Sequence, residues 1–253
     1  MIKELTNASY LVADTLGLVR LYEKRRQEAA ILCWHDVPYE AKVMFERQIQ
    51  WLLETRKIVS LTDMMQKRPT ECVSLTFDDG FESLYSVVFP ILSKYGLPFS
   101  AFIPSSFIGR RGYINYNQLK EMAASGYCEI GAHTRSHRKL VQLLTQELYT
   151  EISGGKSDLE ALLDKPVVSF AYPFGKIEDI CPEAKVICKE VGFQFALSTE
   201  RGFISRSTDP YWIPRICVSP YMNISQLKGL LAGAFWIGDV VRGIGRKIRS
   251  ALS

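Results

Sequence analysis

Apolar residues along this chain switch between two periods. Short apolar runs at Ala29–Trp34, Cys72–Phe77, Phe99–Ile103, Cys128–Ala132, Val167–Ala171, Phe195–Leu197 and Ile213–Val218 read as buried strands. Between them lie stretches of helical spacing: Val43–Arg56, with Phe45, Ile49, Leu52 and Leu53 on one face, then Ser83–Tyr95, Tyr116–Ser125, Thr145–Leu163 and Pro182–Val191. Gly126 and Gly192 stop two of these, and Gly154-Gly155 predicts a break inside Thr145–Leu163. An earlier helical stripe, Ala8, Val12, Leu16 and Val19, is closed by the charged run Glu23-Lys24-Arg25-Arg26. Strand and helix alternate, which implies a parallel sheet with helical crossovers. At 253 residues a closed or nearly closed barrel is favoured over an open sheet. Barrel chemistry gathers at the C-terminal strand ends. His35, Asp78, Asp79, His133 and the Tyr172-Pro173 turn each follow a predicted strand directly.

Charge adds one feature to this picture. The net charge of +4 resides in Ser225–Ser253, where Lys228, Arg242, Arg246, Lys247 and Arg249 face only Asp239, so the body is balanced. A balanced body argues against nucleic-acid binding. In the tail, Leu227, Leu230, Leu231, Ala234, Gly238, Val241, Ile244 and Ile248 form one stripe with the cations mainly off it. Two readings stand: an interfacial membrane helix giving peripheral contact through residues 225–253, or a terminal helix packed on the body. No cysteine pair has C-x-x-C spacing, and Cys33, Cys72, Cys128 and Cys217 sit in strand-like runs, where thiols behave as small buried hydrophobes. Reduced thiols favour a reducing compartment. Asp14, Arg20 and the 23–26 cluster interrupt any leader-like apolar core, and no apolar run reaches the ~18 residues of a membrane span. The expectation is a cytoplasmic protein, with peripheral contact at the inner membrane face under the first reading of the tail.

Candidate chemistry lies in Leu75-Thr76-Phe77-Asp78-Asp79-Gly80 and His133-Thr134-Arg135-Ser136-His137. Adjacent carboxylates at a strand exit can divide labour, one holding a metal while the other stays free to take a proton. Taken alone, Asp-Asp-Gly is more often a helix cap than a catalytic pair. Two of the chain's three histidines lie four residues apart, a spacing that places both rings on one face of a helix. Asp with two His leaves ligand positions open, as hydrolytic metal sites do.

TFDDG, then HTRSH, then Phe170-Ala171-Tyr172-Pro173-Phe174-Gly175, in that order, resemble the polysaccharide deacetylases (NodB homology, carbohydrate esterase family 4). The resemblance spans roughly Ile31 to Val218. It implies a distorted (β/α)7 barrel in a single domain, with Asp79, His133 and His137 as metal ligands and Asp78 as general base. The family's C-terminal L-x-H acid is missing, because no histidine follows His137. In the branch that deacetylates poly-N-acetylglucosamine this His precedes TFDDG in permuted order, and Cys33-Trp34-His35-Asp36-Val37 is similar to it, which makes His35 the general acid. Ala171 stands where the family often has the Arg that holds the base. Arg215 either supplies that cation from another strand or is a surface residue. Phe174 offers a backbone N–H to an oxyanion, and Tyr172, Phe174 and Trp212 either line a sugar groove or belong to the core.

The resulting expectation is a hydrolase of linear amides that removes N-acetyl groups from N-acetylhexosamines of a polysaccharide or lipid-linked glycan, as in exopolysaccharide biosynthesis. Zinc is the expected metal, with Co2+, Ni2+ or Fe2+ also accepted by such ligands. The domains read as a helical extension over 1–28, the deacetylase domain over 29–222 and a basic tail over 223–253. Two other readings remain: an inactive glycan-binding or assembly protein on the same fold, or a deformylase or amidase acting on another amide. The sequence identifies neither the glycan nor an oligomeric state.

Overall fold

Strand β1, Ala30–Trp34, is buried at every position, which a strand achieves only with neighbours on both edges and cover on both faces. The computed structural model describes residues 28–233. Seven strands form one path of neighbours in the order β7-β6-β5-β4-β3-β1-β8. They are β3 (Cys72–Asp78), β4 (Phe99–Ile103), β5 (Cys128–Ala132), β6 (Ser169–Ala171), β7 (Phe195–Leu197) and β8 (Ile216–Cys217), with β1 between β3 and β8. Every ladder is parallel. Ile213 bridges Leu197 of β7 while Leu32 and Cys33 pair with Ile216 and Cys217. The segment 213–217 therefore curls the sheet back towards its first strand, as the expected seven-unit distorted barrel requires. A short β2 (Lys57–Ile58) pairs with Cys72 and Val73. It takes the edge of β3 that β4 joins only from Thr76 onward.

Helices α1 (Lys42–Thr55), α2 (Leu61–Lys67), α3 (Phe89–Lys94), α4 (Tyr116–Ala124), α5 (Thr145–Leu163) and α6 (Pro182–Glu190) supply the crossovers. Strand alternation sorts the layers. Trp34 and Phe77 are register partners facing α1, where Phe45 meets both rings. Cys33, Thr76 and Asp78 point the other way, into the barrel. Phe102, partner of Asp78, also points inward, and a Cβ on its other partner, Gly131, would lie 2.4 Å from the Phe102 ring. Only glycine leaves room for that floor.

Two helix expectations need correction. Thr145–Leu163 is one continuous helix without the break expected at Gly154-Gly155. Both glycines serve packing: a Cβ on Gly155 would lie 2.5 Å from the Thr134 carbonyl oxygen, and one on Gly154 would press on Arg135. Ser83–Tyr95 is not a single α-helix. Leu84–Val88 winds as a wider π-turn before α3, because Pro90 has no N–H to donate and its ring crowds the preceding turn. The pattern also passes over α2, although Ser60 caps it by accepting from the Asp63 N–H at 3.0 Å. The last strand is shorter than Ile213–Val218 because Pro214 interrupts its ladder.

The chain divides into two compact units, 29–221 and the terminal segments. In the second, α7 (Ile224–Leu231) is capped reciprocally by Asn223 and Gln226, and Leu227, Leu230 and Leu231 are buried. The expected helical extension over 1–28 lies outside the described residues except for its last position, and the tail stripe lies outside them from Ala234 onward. Among the described residues no helix is long and apolar enough to cross a membrane.

Candidate active site

β3 delivers both aspartates, and its last turn of backbone separates their roles. Thr76 and Asp78 face the interior by strand alternation. Asp79 then adopts φ +72°, which swings its carboxylate out of the strand's alternation towards the histidine loop. A non-glycine residue there costs about 1–3 kcal/mol. Thr134 (φ +63°), His137 (φ +58°) and Phe174 (φ +62°) carry the same strain, so left-handed backbone recurs around the site.

Asp78 is buried and gripped by an equally buried Arg215. Nη1 donates to Oδ1 and Nη2 to Oδ2, both at 2.7 Å. The fork is itself held: Nε donates to the Ser198 carbonyl at 2.9 Å and Nη1 reaches Thr76 Oγ1 at 3.3 Å. Of the two readings of Arg215, the surface one is therefore excluded. Burial pushes the Asp78 carboxyl up, but the Arg215 charge, then that of His133, and the Arg215 hydrogen bonds outweigh it and hold the acid below its ordinary value. Asp78 is an anion throughout the neutral range.

On the other side of Asp79 lie His133 and His137, their ring centroids 4.7 Å apart. They do not share a helical face: residues 133–137 form a loop, and the rings converge because Thr134 and His137 turn left-handed. Four hydrogen bonds staple that loop. Glu151 of α5 accepts from the Arg135 N–H (3.1 Å), the Ser136 N–H (2.8 Å) and the Ser136 hydroxyl (2.5 Å), while the His137 N–H donates to Thr134 Oγ1 at 3.0 Å. Thr134 and Ser136 thus shape the turn. Close packing of α5 on this loop depends on Gly155. Replacing Glu151 by Gln removes one acceptor from the staple. Zinc affinity is expected to fall at least about tenfold, as for other groups that orient ligands, with the fold intact; a calorimetric zinc titration of E151Q measures it.

His133 Nδ1 lies 2.7 Å from the Ala171 carbonyl. A carbonyl only accepts, so Nδ1 carries a proton; burial lowers the ring's pKa, but the Asp79 and Asp78 carboxylates outweigh it and raise it, and a cation would take the place of a proton on Nε2. That Nε2 lies 3.5 Å from Asp79 Oδ1, and His137 Nε2 lies 3.2 Å from it. Asp79 Oδ1 is nevertheless a buried oxygen with no hydrogen-bond partner. An orphaned anionic oxygen facing two imidazole Nε2 atoms fits a divalent cation. Ligand atoms of Asp79, His133 and His137 all lie within 4.8 Å of one another.

His35, at the exit of β1, is exposed and has a ring nitrogen within 4.8 Å of the Asp78 carboxylate. Asp36 is more than a turn residue. Ser83 Oγ donates to its Oδ1 at 2.6 Å and accepts from the Val37 N–H at 3.1 Å, which pins the loop carrying His35. Phe174 is half-exposed with its ring 4.9 Å from that of His137. Tyr172 is not brought to the site. It is buried beside Phe170 and donates to the Tyr211 carbonyl at 2.9 Å, a core residue rather than part of a groove. Trp212 packs on it, half-buried.

Three contributors had no usable sequence signal: the carbonyls of Ala171 and Ser198, which act through backbone, and Cys33, whose Sγ lies 3.5 Å from Asp78 Oδ2. Cys33, Cys72 and Cys128 are buried as expected, but Cys217 is exposed at the end of a two-residue strand.

A family model for polysaccharide deacetylase matches residues 65–196. YxkH of Bacillus subtilis (strain 168) is 32% identical over 189 residues, covering 72% of this chain and 66% of YxkH. The poly-beta-1,6-N-acetyl-D-glucosamine N-deacetylase of Staphylococcus aureus (strain MSSA476) is 27% identical over 194 residues, covering 69% of this chain and 66% of the relative. The chain thus spans 66% of the length of these curated relatives. Among solved structures, IcaB from Ammonifex degensii superposes with a TM-score of 0.70 at 27% identity, covering 83% of this chain and 97% of that one. The Streptococcus pyogenes deacetylase PplD, solved with acetate, shares the fold (TM-score 0.71, 22% identity, 81% and 98% covered).

Proposed function

Since the chain belongs to the polysaccharide deacetylase family, we propose that it hydrolyses the acetamide of N-acetylhexosamine residues in a glycan, releasing acetate and a free amino sugar. The observation that carries this reading is the division of labour on one strand exit: Asp78 is clamped by Arg215, while Asp79 faces two imidazoles. The name of the S. aureus relative favours a β-1,6-linked N-acetylglucosamine polymer. A half-buried aromatic row, Phe81, Tyr113 and Phe107, leads up to His137. Such rings suit the apolar faces of sugars.

Asp79, His133 and His137 would hold the cation, zinc being our choice for an imidazole–carboxylate set. When bound, such an ion polarises a carbonyl and lowers the pKa of water. Asp78 takes the proton of the attacking water on a carboxylate oxygen. Arg215 keeps that carboxylate ionised and fixed in direction. His35, on the open side of the cleft, gives a proton to the departing nitrogen. Without it the leaving group is an amide anion, which does not depart. The Phe174 backbone, held by its carbonyl accepting from Thr199 Oγ1 at 2.7 Å, would offer its N–H to the developing oxyanion.

Zinc-loaded protein is expected to release acetate from β-1,6-linked N-acetylglucosamine oligomers, to stop after chelation and to recover with zinc. His35→Ala is expected to retain zinc and lose about 10²–10⁴-fold in turnover. Zinc-bound protein releasing no acetate from β-1,6- or β-1,4-linked oligomers would overturn the proposal.

A further inference from the structure

We propose that Cys217 and Cys33 form an oxidisable dithiol in the wall of the active site, a modification site for low-molecular-weight disulfides. The two are Cα partners in the parallel ladder of β1 and β8, so their side chains leave the sheet on the same face. Neighbouring strands lie about 4.8 Å apart, inside the Cα spacing of roughly 4.4–6.8 Å that disulfides span. Their accessibility differs as an attacking and a resolving thiol require. Cys217 is exposed, and Cys33 has no exposed surface.

Their surroundings differ in the same sense. Cys217 is pulled down to about 6, first by the neighbouring Cys33 thiol and then, against burial, by the charges of Arg215 and His35; Asp78 opposes this. Cys33 moves up, chiefly through burial. Burial also raises the thiols of Cys72, Cys128, Cys181 and Cys188. Cys217 is therefore the preferred nucleophile among the six.

The chemistry closes without any further reagent. The Cys217 thiolate attacks one sulfur of the small disulfide. That S–S bond breaks, and the first small thiolate leaves and takes up a proton from water. Cys33 then attacks the Cys217 sulfur of the mixed disulfide. The second small thiol departs with the Cys33 proton, and the Cys33–Cys217 bond forms. The protein loses two electrons and the small disulfide becomes two thiols. The bond removes the thiol beside Asp78 Oδ2 and draws in β8, whose first residue directly follows Arg215, the holder of the carboxylate. Loss of acetate release on oxidation rests on the function proposed above; the covalent step does not.

The test treats zinc-loaded protein with glutathione disulfide and maps the peptides by mass. The expected product links the Cys33 and Cys217 peptides, forms in parallel with loss of acetate release, and is reversed by dithiothreitol. Cys217→Ser is expected to keep its basal rate and resist glutathione disulfide. Independently of activity, Cys217 is expected to react with iodoacetamide at pH 6 about ten times faster than an ordinary exposed thiol, its larger thiolate fraction outweighing its lower nucleophilicity. A mixed disulfide on Cys217 that Cys33 never resolves, or alkylation at the ordinary rate, would refute the dithiol whether or not acetate is released. A linked product that leaves acetate release unchanged would refute its effect on Asp78.

Discussion

Asp78→Asn is expected to lower acetate release by about 10³-fold or more while zinc stays bound at full stoichiometry. The substitution keeps the shape of the side chain and removes the one group that can accept the proton of water. General-base removal is worth about 10²–10⁴, and the upper half of that range applies because no other carboxylate shares the position: Asp79 is turned away by its φ of +72° towards the histidines. Metal analysis decides the interpretation. Loss of zinc together with activity would place Asp78 among the ligands and defeat the division of labour between the two aspartates. The pair also sets an acid limit. Because Asp78 is held below its ordinary value of 3.8, its contribution to stability is present above the unfolded value and is lost as pH falls through the folded one. Asp78→Asn should flatten that acid limb of the unfolding curve.

Arg215→Met is expected to destabilise the protein by about 3–5 kcal/mol, the usual cost of leaving a buried charge without its partner. Guanidinium removal takes the charged donor from both oxygens of Asp78 at once and leaves only the Cys33 thiol on Oδ2. The sign of the pH effect reverses: burial, now unopposed by Arg215, raises the Asp78 carboxyl, so activity should fall at neutral pH and recover partly in alkali. The double variant Asp78→Asn/Arg215→Met should regain much of the stability and none of the activity, since replacing both partners of a buried pair is often neutral. Denaturant unfolding of the four proteins yields the coupling. A coupling near zero would mean that the fork seen here adds nothing to the fold.

The candidate site residues were legible because each sits at a strand end, strand ends are marked by period, and the motifs there resemble those of a known family. Asp78 and Asp79 leave β3, His133 leaves β5 and His35 leaves β1, all within a residue of the predicted boundaries. What misled the reading was backbone handedness. Four residues between imidazoles suggests a helix, but Thr134 and His137 in left-handed conformations bring the rings together in a loop. Gly154-Gly155 likewise suggests a broken helix, because the same residues that weaken helices also permit close approach. Here approach to the Thr134 backbone is what they serve.

Local pattern therefore gave most of the elements in their order and a parallel, barrel-like sheet, and the resemblance of three short motifs to a known family marked the residues able to do chemistry, because burial periodicity and side-chain type are properties of short segments. Only the tertiary structure decided how those residues are paired. Arg215 stands 137 positions from Asp78, and the carbonyls of Ala171 and Ser198 and the carboxylate of Glu151 reach their partners across strands and helices. Such partners meet because the sheet curls, which no stretch of a few residues encodes. The same curl sets Tyr172 in the core and leaves Cys217 exposed beside the buried Cys33.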